Sequence, residues 1–272
     1  MDSLSYTNKE GLSYKYRSEK KSGAKKIYHA KLRAPKQFTV GIIIDTDLRL
    51  PPKTGVTFRL YYLSRELQKN GVGVKIFLCN RRTESEIKKE FCDDESGLEY
   101  HFIPEDKFYN PTALCEILKK QNLDIIQFED SVSVLRYLDA IRDLELPLCL
   151  ELHDVEASLI KGLGFKEQDV DFAKAVTALA CQAADAVVCM TETDKSELIE
   201  LVGIDTRKLF IVPNPIDGDT FSYYGPNIDN NLLIFIGNMF YWPNAEGAKI
   251  LCQKIFPFLK KQFPSISCRI VG

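Results

Sequence analysis

The sequence predicts an α/β protein organised around a doubly wound, parallel β-sheet, and three observations carry that expectation. Short apolar runs rich in β-branched residues, the mark of strands buried on both faces, recur along most of the chain. Between them lie stretches whose apolar residues repeat at helical spacing. Glycine, asparagine and proline punctuate the boundaries. Alternation of this kind pairs its strands in parallel through right-handed crossovers.

The first strand is predicted at Thr39–Asp45, reading TVGIIID. A loop follows in which Pro51-Pro52 forbids regular structure. Val56, Leu60, Leu63 and Leu67 then fall on one helical face, and Asn70-Gly71 closes that helix with a residue suited to the left-handed cap. VGVKIFL (72–78) is the next strand. Residues 81–97 are polar and acidic and read as a surface excursion. The strand LEYHFI (98–103), a helix from Pro111 to Lys120, the strand DIIQFE (124–129), a helix over 132–144 and the strand LCLELH (148–153) follow. Phe172, Val176, Leu179 and Ala183 mark a further helix, then comes AVVCM (186–190). Thr191 and Asp194 have the spacing of a capping box, and KLFIVPN (208–214) is the last strand of the series.

Residues 38–214 thus form one doubly wound domain, preceded by a basic, flexible arm (1–37) and followed by a turn-rich linker (215–231). The pattern restarts at LLIFIG (232–237), continues with a helix near Pro243 whose apolar face is Ala248, Leu251, Cys252, Ile255 and Leu259, and reaches ISCRIVG (266–272). Residues 232–272 are therefore expected to be the first βαβ unit of a second Rossmann-like domain. One such unit leaves faces of its strand pair uncovered, so the chain reads as truncated early in that domain.

Composition removes several functional classes. The chain has 272 residues, 45% of them hydrophobic, enough for a real core, and no apolar run long enough to span a bilayer. Its opening residues lack the apolar stretch of a secretory signal, and its eight cysteines form no Cys-x-x-Cys pair, which suits reduced thiols and a cytoplasmic protein. Three scattered histidines give a metal site little support, and none is expected. Ten Lys/Arg against three acids put residues 1–36 at +7 and leave the remainder at −9. An acidic body is not built for nucleic acid. The arm is either a solvated terminus or a contact to the anionic inner face of a membrane.

There is no phosphate-loop signature, no nucleophile elbow and no His-Glu-x-x-His zinc motif, and Gly71-Val72-Gly73 precedes a strand instead of joining strand to helix. What remains sits at carboxyl ends of strands, where open α/β sheets bind ligands. Lys53-Thr54-Gly55 opens a helix, where free N–H groups favour an anion, although an ordinary loop explains it as well. His153-Asp154 ends a strand; the histidine is either a hydrogen-bonding group for a ligand or a core residue held by Asp154. Asn214, within Pro213-Asn214-Pro215, and Gly237-Asn238 complete the candidates.

Five segments in order, TGVTFRLYYLSRELQKNGVGVKIFL, ELHDVEAS, ADAVVCMTETDKSEL, LFIVPNPID and LLIFIGNMFYWPNAEGAKIL, resemble the retaining, GT-B-fold glycosyltransferases of family four. The opening of the second domain, G-x-M-x-Y-x-P-N, is similar to the bacterial exopolysaccharide and cell-surface branch. The resemblance implies a metal-independent transfer of sugar from a nucleotide-diphosphate donor, without a cofactor, to a glycan or lipid-linked acceptor. It implies a role for His153 at the donor sugar, Gly55 beside the diphosphate or acceptor, Asn214 near the hinge, and Gly237 and Asn238 at the first loop of the second domain. Two departures bear on this: Lys53-Thr54-Gly55 replaces a glycine pair, and Asn238 stands where many members carry arginine. The family's later basic residue and glutamate pair have no counterpart in residues 1–272, so this chain is expected to be inactive alone. Two other readings stay open, a non-catalytic partner module and a sugar-nucleotide epimerase of the same fold.

Overall fold

The computed structural model describes residues 38–91, 94–218 and 231–272, the isolated residues 221, 222 and 225, and three short strands nearer the N-terminus. Those three, Leu4–Thr7, Ser13–Tyr16 and Ala30–Lys31, pair antiparallel. The rest of the stretch expected to be a flexible arm, and most of the linker after Gly218, lies outside the described residues. The chain divides into two compact units, Met1–Asp217 and Gly218–Gly272.

The first unit is built on seven parallel strands. In chain order the elements are β1 (Thr39–Ile44), α1 (Gly55–Lys69), β2 (Gly73–Asn80), α2 (Glu84–Phe91), β3 (Glu99–Pro104), α3 (Glu105–Phe108), α4 (Pro111–Leu118), β4 (Ile125–Phe128), α5 (Ser131–Arg142), β5 (Leu148–Glu151), α6 (Glu156–Gly162), α7 (Glu167–Ala183), β6 (Ala186–Cys189), α8 (Glu192–Val202) and β7 (Leu209–Ile211). The spatial order is β7-β6-β5-β4-β1-β2-β3. The chain builds outward from β1 to one edge, returns to lay β4 on the other side of β1, and builds to the opposite edge. That reversal creates a crevice at the carboxyl ends of β1 and β4, the ligand-binding position of doubly wound sheets.

Strand pleating divides the core in two. Ile43, Phe77, Ile126, Phe128, Leu148, Leu150 and Val187 turn to one face and pack with Leu114, Val134, Tyr137 and Ala180 of α4, α5 and α7. Val40, Ile42, Ile44, Val74, Ile76 and Leu78 turn to the other and pack with Leu60 of α1. Each fully buried large apolar side chain contributes about 1.5–3 kcal/mol by leaving water.

Helix boundaries follow local chemistry. Thr54 caps α1 in a capping box with Thr57, and Gly71 takes the left-handed conformation just past its end. Thr191 Oγ1 accepts from the Asp194 N–H at 3.0 Å while Asp194 Oδ2 accepts from the Thr191 N–H at 2.9 Å, the expected box at the start of α8.

In the first unit three expectations are corrected. The excursion at 81–97 contains α2, a short helix with no fully buried residue whose two apolar residues are Ile87 and Phe91. Its signal is electrostatic, Glu84 and Glu86 in the first turn and Lys88 and Lys89 in the last, complementing the helix dipole. The buried face of α7 is Val170, Ala173, Thr177, Ala180 and Cys181, and Phe172 and Leu179 lie 70% and 54% exposed. Small residues let α7 approach its neighbours closely, and the large ones of the expected face are turned outward. On α1 the buried set is Thr57, Arg59, Leu60 and Ser64, with Leu67 at the rim.

The second unit pairs β8 (Leu232–Ile236) in parallel with β9 (Ser267–Val271). Between them run α9 (Trp242–Ile250), a π-helical turn (Leu251–Ile255) and α10 (Phe256–Gln262). Pro257 has no N–H for the ladder, and the widened turn precedes it. Ala248 and Leu251 are buried, whereas Cys252 and Ile255 of the expected apolar face are exposed. No described helix is long and apolar enough to cross a membrane.

Candidate functional site

A cleft of about 300 Å³ opens at the β1/β4 reversal. Asp45 and Thr46 after β1, Glu129, Asp130 and Ser131 after β4, and His153 and Asp154 after β5 line it, with Val56 of α1 and Leu159 and Thr177 of the α6–α7 pair closing the sides. The floor is the sheet, so the polar groups stand on its most rigid part.

His153 is held from below. Its Nε2 lies 3.0 Å from Glu129 Oε2, and its side chain is 13% exposed. Glu129 Oε1 accepts from Gln127 Nε2 at 2.8 Å, and the same amide nitrogen donates to Glu151 Oε2 at 2.7 Å. Glu151 Oε1 is paired with Arg59 Nε from α1. Arg59 Nη1 donates to the Pro213 carbonyl at 2.8 Å and to Asn214 Oδ1 at 3.3 Å, and its Nη2 is buried without a partner. A continuous polar chain therefore runs from the segment after β7, through the interior of the sheet, to the cleft.

Its electrostatics are those of a desolvated but balanced set. Burial works against protonation of His153, yet the hydrogen bond and charge of Glu129 outweigh it and hold the imidazole above its ordinary range. Burial and the neighbouring charge of Glu129 push the Glu151 carboxyl up, against the opposing effect of Arg59. Burial likewise raises Asp154, with His153 opposing and Asp194 adding. Glu129, Glu151 and His153 bring ligand-type atoms within 4.8 Å of one another. Those atoms are already bonded to one another, to Gln127 and to Arg59, so a cation would have to displace protein partners beside a guanidinium.

Of the residues picked from sequence, His153 and Asp154 lie in the cleft. Asp154 is not what holds the histidine; Glu129 is. Lys53, Thr54 and Gly55 stand at the α1 N-terminus just before Val56 of the cleft wall, and the space in front of Gly55 is open. The Thr54 side chain is spent on the cap. Asn214, itself exposed, is the outer end of this polar chain through Arg59. Gly237 and Asn238 are in the second unit: a Cβ on Gly237 would strike Asn244 at 2.9 Å, and Asn238 Oδ1 accepts from the Phe240 N–H at 2.9 Å, so its side chain closes its own turn. Arg59, Gln127 and Glu129 escaped the sequence reading, and Glu151 entered it only as the start of the segment ending in His153-Asp154. The available signal was a run of polar residues inside apolar strands, Gln127 in IIQF and Glu151 in LCLE.

A family model described as Glycosyltransferase Family 4 matches residues 53–220. Among known proteins, the chain is similar to a phosphatidylinositol N-acetylglucosaminyltransferase subunit of Arabidopsis thaliana, 20% identical over 245 residues that cover 85% of this chain and 52% of that protein. It spans about half the length of that curated relative. Among solved structures it is similar to a glycosyltransferase from Rickettsia africae (TM-score 0.57, 16% identity). It is also similar to Anabaena HepE in complex with UDP and glucose (TM-score 0.55, 12% identity). Each match covers 87% of this chain and 61% of the other. At these identities the likeness is one of fold, and the fold is that of the Rossmann-like, GT-B glycosyltransferases.

Proposed function

Because the chain belongs to glycosyltransferase family 4, we propose that its protein transfers a sugar from a nucleotide-diphosphate donor to a glycan or lipid-linked acceptor, with the anomeric configuration retained. The observation that supports this reading best is the cleft at the β1/β4 reversal with His153 fixed in its wall. In this reading His153 hydrogen-bonds the donor sugar. The α1 N-terminus beyond Thr54 faces an anion, either the diphosphate or an acceptor phosphate. Charge developing on the leaving diphosphate needs cationic or N–H partners, and Asn238 brings no cation to the second unit. Low turnover by these 272 residues alone is therefore part of the proposal, as are the donor's nucleotide, a place in polysaccharide synthesis and a cytoplasmic location. The basic residues of 1–36 would hold the protein against an anionic membrane where lipid-linked acceptors reside.

The test is an assay of the natural gene product with nucleotide sugars labelled in the sugar, in the presence of glycan and lipid extracts. Label appearing in a glycan or lipid with the donor's anomeric configuration supports the proposal. Label returned as an epimerised nucleotide sugar, or none consumed, overturns it.

A further inference from the structure

We propose that Glu129 is a positioning residue that commits the His153 ring by its Nε2, so that Nδ1 is the one ring atom offered to the cleft. The geometry carries this. A carboxylate is acceptor-only, so at 3.0 Å from Glu129 the His153 Nε2 must carry the hydrogen. Among the described residues no hydrogen-bond partner is found for Nδ1, and His153 lines the cleft. When the ring is cationic, Nδ1–H is a donor to a ligand oxygen; when it is neutral, the same atom is an acceptor for a ligand hydroxyl. One buried carboxylate thereby sets both the direction of the ring and the sense of its exposed hydrogen bond.

Glu129 is free for this role because the charges around it are arranged for it. Glu151, the other carboxylate of the cluster, is neutralised by Arg59 from α1, and the Gln127 amide separates the two acids by donating to both. The groups around His153 are thus Glu129 and Glu151 beside the sheet and Arg59 from the helix above it, with Asp154 next in the chain and Asp45, Asp130 and Glu156 on the cleft wall. The inference rests on the proposed reaction only for what Nδ1 meets; the ring's own state is independent of it.

The 272-residue chain, with 15N-labelled histidine, tests it directly. The sequence has three histidines, His29, His101 and His153, and His153→Gln assigns the resonance. In the wild type, the His153 titration midpoint is expected above that of an unperturbed imidazole, about 6.5. Above that midpoint the ring should be wholly the Nε2–H tautomer. In Glu129→Gln, which keeps size and hydrogen-bonding capacity, the midpoint is expected to fall clearly below that of the wild type, because only the charge of Glu151 then opposes burial and Arg59. Glu156→Gln, on the same cleft but without contact to the ring, should leave it in place. An Nδ1–H tautomer in the wild type, or equal midpoints in wild type and folded Glu129→Gln, overturns the inference. An absence of sugar transfer by the natural gene product, with these signatures intact, would instead count against the proposed reaction.

Discussion

The two sides of β4 and β5 are made by the same eight residues and have opposite characters. On one side Ile126, Phe128, Leu148 and Leu150 form a continuous apolar floor under α5 and α7. On the other, Gln127 and Glu151 replace what the pleat would otherwise fill with aliphatics, and Arg59 descends from α1 to meet them. The apolar side gains from every atom it removes from water. The polar side exists only as a complete set, because Arg59 and Glu151 are buried and each would be costly if its partner were missing. A parallel sheet covered on both faces ordinarily has two apolar sides, and this one departs from that pattern where it meets the cleft.

Arg59→Met probes the difference most strongly. It leaves Glu151 buried beside Glu129 without its cation and is expected to cost about 3–5 kcal/mol in denaturant unfolding. Adding Glu151→Leu should recover most of that loss, since an apolar pair of similar volume replaces an ion pair with little penalty. On the other side, Leu150→Ala should cost about 2–5 kcal/mol through lost burial and the cavity left behind, with no second change of polarity to rescue it. If the Arg59→Met, Glu151→Leu double variant is no more stable than Arg59→Met, the contrast between the two sides fails.

The pH dependence separates them further. His153 is held above its unfolded-state value by Glu129, so its stabilising contribution is fully present below the ordinary imidazole range and is lost as pH rises through the folded value. Glu151, also raised, acts in the same direction at lower pH. Unfolding free energy should therefore decline from mildly acid toward mildly alkaline pH, and Glu129→Gln should flatten the upper part of that decline. The apolar side contributes nothing to the slope, so Leu150→Ala should shift the profile without reshaping it. The smallest effect belongs to Phe172→Ser. With that ring outside, thermal unfolding should move by no more than about 0.5 kcal/mol, whereas a residue on the buried face of α7 would cost several times as much.

The strands, the order in which helices follow them and the caps at Thr191 and Gly71 were legible because each rests on local pattern. His153 and Asp154 were legible because a polar pair at the end of an apolar run is conspicuous. The partner of His153 was not, for a reason of register. Glu129 lies 24 residues earlier, just past β4, and only the pairing of β4 with β5 brings the two ends together. Arg59 was hidden in a different way. It sits one residue from Leu60 in a helix whose leucines suggest a face centred elsewhere, and an arginine reads as solvent-facing unless a buried acid is known to await it. The apolar face of α7 misled for the converse reason, since volume and not polarity decides which side chains fit beneath a closely packed helix.

The grip of Arg59 on Pro213 and Asn214 has a mechanical consequence. The strand just before them, β7, is an edge strand of three residues with one neighbour, the weakest place in the sheet to bear a load. A guanidinium fastened to β5 clamps the chain beyond that strand. A pull on the backbone past Asn214 is then borne by α1 and the middle of the sheet before it can peel β7 from β6. The edge is protected by a charge placed on the first helix of the fold.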